Sequence, residues 1–138
     1  MLCHHALSLW RGEPFGDLVG TDPFQLEAMR LDEVRLFVVE LRMEAEIAQG
    51  RGQFVAGALA GFITEYPYRE RMWHLLIAAL AVTGRRTEAL RAYEELRLRL
   101  AEVGLDPSPE ARQLQRCVLD EDADIRSSLA RVIANTDP

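Results

Sequence analysis

Gly50 and Gly84 stand 34 residues apart, and each separates two runs of helical periodicity. Breakers at that interval divide a chain into helix pairs. A single pair cannot bury its own apolar face, so such pairs stack on one another. In the second unit Trp73, Leu76, Gly84, Ala89 and Tyr93 occupy the positions where a helix-pair repeat alternates large and small packing residues. One period upstream stand Val39, Arg42, Gly50, Val55 and Leu59. The first copy is therefore degenerate, held in frame by Gly50 and by Pro67 at the end of its second helix.

A period of 34 is the signature of tetratricopeptide-type repeats. The sequence predicts an all-α, tetratricopeptide-like stack of antiparallel helix pairs, an architecture that grips other proteins and seldom builds catalytic centres. The first long helix spans 23–49, with Asp22 as cap, Pro23 in the first turn and Gln25 placed for a capping box. Along it Leu31, Val34, Val38, Leu41, Ala45 and Ala48 recur in alternating steps of three and four, as in a coiled-coil seam. Leu36, Phe37, Val39 and Met43 add a second apolar side, so the expectation is burial within the stack. Gly50 and Gly52 end this helix.

The next helix, 54–66, sets Phe54, Ala58, Phe62 and Tyr66 in register and stops at Pro67. The helix 69–83 is apolar nearly all round from Met72 to Val82, which makes it the central one. Ala89, Leu90, Tyr93, Leu96, Leu100 and Val103 face inward from an amphipathic helix over 86–103. Its outer face carries the charge pairs Arg91–Glu95 and Glu95–Arg99. Ser108 and Pro109 open a further helix bearing Leu114, Cys117 and Val118. Ile125, Leu129 and Ile133 line one side of a last short helix. No segment has strand character. The acidic run Asp120-Glu121-Asp122 marks a boundary between a domain over 1–122 and a C-terminal extension over 123–138.

All sixteen basic residues are arginine, against twenty-two acids, for a formal net charge of −6 and a pI of about 5.1. The arginine bias reads as codon composition. The acidity opposes DNA binding by this chain alone, because its field repels phosphate backbones. Cys3 and Cys117 read as reduced thiols. No basic-then-apolar leader is visible. No apolar run approaches the ~20 residues of a membrane span. These features place the chain in the cytoplasm.

Candidate chemistry is sparse. Cys3-His4-His5 is the one dense group of metal-capable side chains, but zinc sites draw on four ligands from spaced pairs, so no metal is expected. His74 falls on the central helix without a recognisable nucleophile pattern beside it, and is expected to face a polar partner or a groove. Glu110 and the acidic run 120–122 read as a solvated face. No glycine-rich phosphate cradle is present. The chain is therefore expected to be no enzyme, with no catalytic residue and no cofactor. Arg69, Arg71, Arg85 and Arg86 gather at the two ends of the central helix. They either meet an acidic partner or pair with Glu65, Glu70 and Glu88. Trp10 and Phe15 complete the candidate interaction surface as aromatics prone to association when uncovered.

Four runs, in order, resemble one family: Ala6-Leu7-Ser8-Leu9-Trp10-Arg11-Gly12, Tyr68-Arg69-Glu70-Arg71, the segment 84–93 from Gly84 through Thr87, Glu88 and Ala89 to Tyr93, and Gly104-Leu105-Asp106-Pro107-Ser108-Pro109. Over residues 6–120 the chain is similar to the bacterial transcriptional activator domain of the SARP (antibiotic regulatory protein) family. The resemblance implies an all-helical, tetratricopeptide-like module that normally follows a winged-helix DNA-binding domain. It implies a role in dimerisation and in contacts that recruit RNA polymerase. Met1 falls near the end of an early helix of that module, so DNA contact is expected only through a separate winged-helix domain absent from this chain. The expected partner is a second copy or the transcription machinery. Two alternatives stand beside this: a helical-repeat adaptor that binds a peptide outside transcription, and a metal protein or enzyme using Cys3, His4, His5 or His74.

Overall fold

The computed structural model describes residues 22–120 and 124–134. The expectations placed on Trp10, Phe15 and Cys3-His4-His5 lie outside them. Six α-helices and no strand occur among the described residues: α1 (Pro23–Ala48), α2 (Gly52–Glu65), α3 (Glu70–Val82), α4 (Arg86–Glu102), α5 (Pro109–Leu119) and α6 (Ile125–Ala134). The chain divides into two units, residues 1–41 and 42–138, and α1 runs through the boundary.

Three glycines end their helices by one shared device. Gly50, Gly84 and Gly104 all adopt positive φ, between 77° and 83°. In each case the glycine N–H donates to the carbonyl three residues back and the next N–H to the carbonyl five before it. At Gly84 these bonds run to Ala81 at 3.1 Å and, from Arg85, to Leu80 at 2.8 Å; at Gly50 they run to Ile47 and, from Arg51, to Glu46. This is the Schellman closure, which satisfies the last carbonyls of a helix and needs a residue without Cβ strain at its turn. Gly52 has a different role from the one expected. It opens α2 rather than ending α1, and a Cβ there would lie 3.1 Å from the Val82 side chain and 3.2 Å from the Ala79 carbonyl. Its bare backbone lets the start of α2 approach the end of α3.

The second unit is built around α3, which packs against α2, α4, α5 and α6. Met72, Trp73, Leu75, Ile77, Ala78, Ala79, Leu80 and Ala81 are all buried. The Trp73 indole N–H donates to the Pro67 carbonyl at 3.0 Å, which satisfies its one polar group. Around α3, α4 buries Ala89, Tyr93, Leu96 and Leu100, α5 buries Ala111, Leu114 and Val118, and α6 buries Leu129, Val132 and Ile133. Val103, expected inside, is exposed at the C-cap of α4.

On α2 the inward face differs from the expected one. Val55, Ala56, Leu59 and Ile63 are buried, while Phe54 and Ala58 are exposed. A helix without charge from Gly52 to Thr64 offers two apolar faces, and periodicity alone does not choose between them. Tyr66 is buried as expected.

In the first unit, the seam of α1 was expected to be covered. Instead Leu31, Val34, Val38 and Leu41 are 46, 49, 56 and 40% exposed, while Asp32, Leu36 and Glu40 are buried. The apolar heptad stripe faces solvent, and two acids lie on the inner side.

Two glycines are predicted to respond in opposite directions to alanine. Gly84→Ala places a Cβ at positive φ and costs about 1 kcal/mol, seen as a drop of several degrees in Tm. Gly57→Ala, in mid-helix with open space around the new methyl, raises Tm, because alanine is favoured over glycine there by about 1 kcal/mol.

Candidate functional site

The four arginines singled out in the sequence occupy the two ends of α3 and are not brought together. Arg71, within the first turn, is mostly buried. Its guanidinium donates to Glu44 on α1 at 2.8 Å and to the Ile133 carbonyl at the end of α6 at 3.4 Å. A cation at a helix C-terminus is favourably placed against the helix dipole. Arg86, at the other end, donates to the Asp120 carbonyl at 2.8 Å, at the C-cap of α5. Arg85 pairs with Glu88 on the surface. Arg69 is the residue preceding α3 and is partly exposed. Arg71 and Arg86 thus tie α3 and α4 to the ends of later helices, and Arg85 is the surface member of the set.

His74 is buried and faces a polar partner. Its Nε2 lies 3.0 Å from Glu70 Oε2 and 3.5 Å from Ser108 Oγ. The Ser108 N–H donates to the same Glu70 oxygen at 3.1 Å, and Ser108 Oγ accepts from the Ala111 N–H as the N-cap of α5. Serine, histidine and carboxylate are the ingredients of a hydrolytic triad. Here the carboxylate and the hydroxyl share one imidazole nitrogen, whereas a triad needs them on opposite ones. Nδ1 is buried without a hydrogen-bond partner. The geometry is that of a clasp joining the start of α3 to the start of α5. Burial, the largest single effect, pushes the Glu70 carboxyl up, but the hydrogen bonds from His74 and Ser108 together hold it below its ordinary value. The signal available in the sequence was the i,i+4 spacing of Glu70 and His74.

Cys117 is a half-buried free thiol whose pKa is raised first by burial. No cluster of three or more metal-capable side chains occurs among the described residues. No described helix is long and apolar enough to cross a membrane. A shallow groove of about 370 Å³ runs over Ala56, Gly57 and Ala60 of α2, Leu76 and Leu80 of α3, Arg85 just before α4, and Glu88, Arg91, Ala92 and Glu95 of α4. Both there and along the seam of α1, apolar groups meet solvent in an ordered pattern.

Helices closed by repeated glycine turns and joined by polar clasps, with no strand among the described residues, form a tetratricopeptide-like helical module. The chain belongs to the bacterial transcriptional activator domain family, whose model matches residues 1–119. It is 36% identical over 121 residues to the regulatory protein DnrI of Streptomyces peucetius, covering 87% of this chain and 44% of that protein. It is 37% identical over 129 residues to the regulatory protein AfsR of Streptomyces coelicolor, covering 88% of this chain and 13% of that one. A solved structure of Mycobacterium tuberculosis EmbR in complex with a low-affinity phosphopeptide superposes with a TM-score of 0.71 at 34% identity. The match covers 97% of this chain and 37% of that one. These relatives are SARP-family transcriptional regulators, and the chain spans less than half the length of each.

Two measurements test these assignments. Arg71→Met destabilises the fold by about 1–3 kcal/mol, since it leaves partly buried acceptors unmet, whereas Arg85→Ala stays within about 0.5 kcal/mol in chemical denaturation. Because the folded-state pKa of Glu70 is depressed, its contribution is present above the ordinary carboxylate range and is lost as pH falls through the folded value. Stability measured from pH 6 downward therefore falls less steeply in Glu70→Gln than in the wild type.

Proposed function

We propose that this domain serves a bacterial transcriptional regulator as its protein-contact module, acting in the cytoplasm, with DNA binding left to a separate winged-helix domain. The contact surface is the outer face of α1, and the contact is with a second copy or with the transcription machinery. One observation carries the reading: Leu31, Val34, Val38 and Leu41 form an ordered apolar stripe on the solvent side of a helix whose inner side holds Asp32 and Glu40. Scattered exposed hydrophobics are ordinary, whereas a contiguous stripe marks an interaction site. Family membership supplies the transcriptional setting. The polar side chains described above act in the fold, and no catalytic role is assigned to any of them. The domain is taken to run to residue 122, with 123–138 as an attached extension.

The groove over Ala56, Gly57, Ala60, Leu76 and Leu80 favours a second reading, a peptide-binding adaptor. One experiment separates the two. The chain is fused to a constitutively dimeric, unrelated DNA-binding domain upstream of a reporter promoter, so that dimerisation by itself gives no signal. Several-fold activation is expected. It is lost in Val34→Glu/Val38→Glu and retained in Ala60→Trp, which fills the groove. A wild-type fusion no more active than the DNA-binding domain alone overturns the transcriptional contact. Loss in Ala60→Trp alone supports the adaptor.

A further inference from the structure

The central helix is covered on every side except at one place. Of the ten residues from Met72 to Ala81, nine are buried, and Leu76 is left partly exposed. Leu76 lies with Leu80, one turn on, in the floor of the groove between α2 and α4. The walls of that groove are low, with Gly57 and Ala60 on α2 and Ala92 on α4. Gly57 stands in mid-helix, where alanine is favoured by about 1 kcal/mol. A Cβ there would meet nothing in this chain, so the fold itself draws no benefit from the bare backbone.

One cation on the rim is unmatched. Arg85 pairs with Glu88, Arg97 with Glu94 and Arg99 with Glu95, and Arg86 donates to the Asp120 carbonyl. The exposed Arg91 makes no hydrogen bond or ion pair among the described residues. The carboxylate its spacing offers, Glu95, goes to Arg99 instead. A guanidinium beside an apolar floor suits a carboxylate, which it can hold by two parallel hydrogen bonds.

We infer that this groove seats an amphipathic helix of a partner protein, with two aliphatic side chains four residues apart over Leu76 and Leu80 and a carboxylate on Arg91. This rests on the second reading, of the groove as a peptide site, and names its occupant. It involves residues of the second unit alone, and does not depend on what the seam of α1 contacts.

The form of the occupant follows from what lines the groove. The backbones of α2, α3 and α4 are hydrogen-bonded within their own helices, so the groove offers no strand edge. An extended peptide would lose water from its N–H and C=O groups without replacement, whereas a helix arrives with its backbone already paired. From Glu88 to Glu95 the rim advances about 10 Å, or two helical turns, and the low wall at Gly57 lets a second helix come close. The number of acids is limited too. The chain carries a net charge of −6, and Glu88 and Glu95 stand on either side of Arg91, so a strongly acidic segment is repelled and a helix with a single carboxylate is favoured.

Selection from a phage-displayed library of helices about three turns long, against the whole chain, tests the inference. Enriched sequences are expected to carry two aliphatic residues four apart with a single Asp or Glu beside them. Binding of the corresponding synthetic peptide, followed by fluorescence anisotropy, weakens about tenfold or more in Arg91→Glu. It is abolished in Ala60→Trp and in Gly57→Leu, which fill the groove from exposed positions and keep the helical circular dichroism. Selection against Arg91→Glu enriches Lys or Arg at the same register. Val34→Glu/Val38→Glu binds the peptide as the wild type does, so loss of the α1 contact is read separately. No enrichment against the wild type overturns the inference. So do peptides that bind Ala60→Trp and Gly57→Leu undiminished, or that are indifferent to the charge at residue 91, and none of these results alters the reporter assay of the α1 contact.

Discussion

A helix that is apolar on every side has to be surrounded, and α3 imposes that requirement on the second unit. Eight of its residues from Met72 to Ala81 lie in the core, and covering them takes contributions from α2, α4, α5 and α6. Each large side chain so buried is worth about 2–3 kcal/mol, so leaving any one neighbour out would expose a costly face. The order of helices along the chain then follows from connection length. The Schellman turns at Gly84 and Gly104 close their helices tightly enough for α4 to return against α3 and α5 against α4. Gly52 allows the closest approach where α2 meets α3.

The polar groups near this core serve the same packing. Glu70 and Arg71, adjacent at the start of α3, reach in different directions: Glu70 to the N-cap of α5, Arg71 to Glu44 on α1 and to the Ile133 carbonyl of α6. Arg86 performs a similar service for the end of α5. Helix termini carry unsatisfied backbone groups, and here long side chains from the inner helices satisfy several of them. The charge gathered around α3 thereby holds helix ends together.

Much of this was legible in the residues. The interval from Gly50 to Gly84 gave the repeat, the unbroken apolar run of α3 gave the centre, and Ser108 with Pro109 gave the start of α5. What escaped has a common cause. Where a helix is apolar on two sides, as α1 and α2 are, periodicity marks both faces and tertiary packing picks one. The choice fell on Leu36 rather than Val34, and on Val55 and Leu59 rather than Phe54 and Ala58. The clasp of Glu70, His74 and Ser108 joins residues up to 38 positions apart, and no local pattern announces such a contact. The arginines at the ends of α3 were visible as a set, but only the structure separates Arg71 and Arg86, which hold the fold, from Arg85 on the surface.

The dependence of the second unit on α3 is open to a direct measurement, native-state hydrogen exchange followed residue by residue. Amides of α3 between Leu75 and Ala81 are expected to exchange slowest of all and only through global unfolding, with α6 opening first by local unfolding. If the α3 amides exchange as fast as those of α6, or open before α2 and α4 do, then α3 is not the element on which the rest is built.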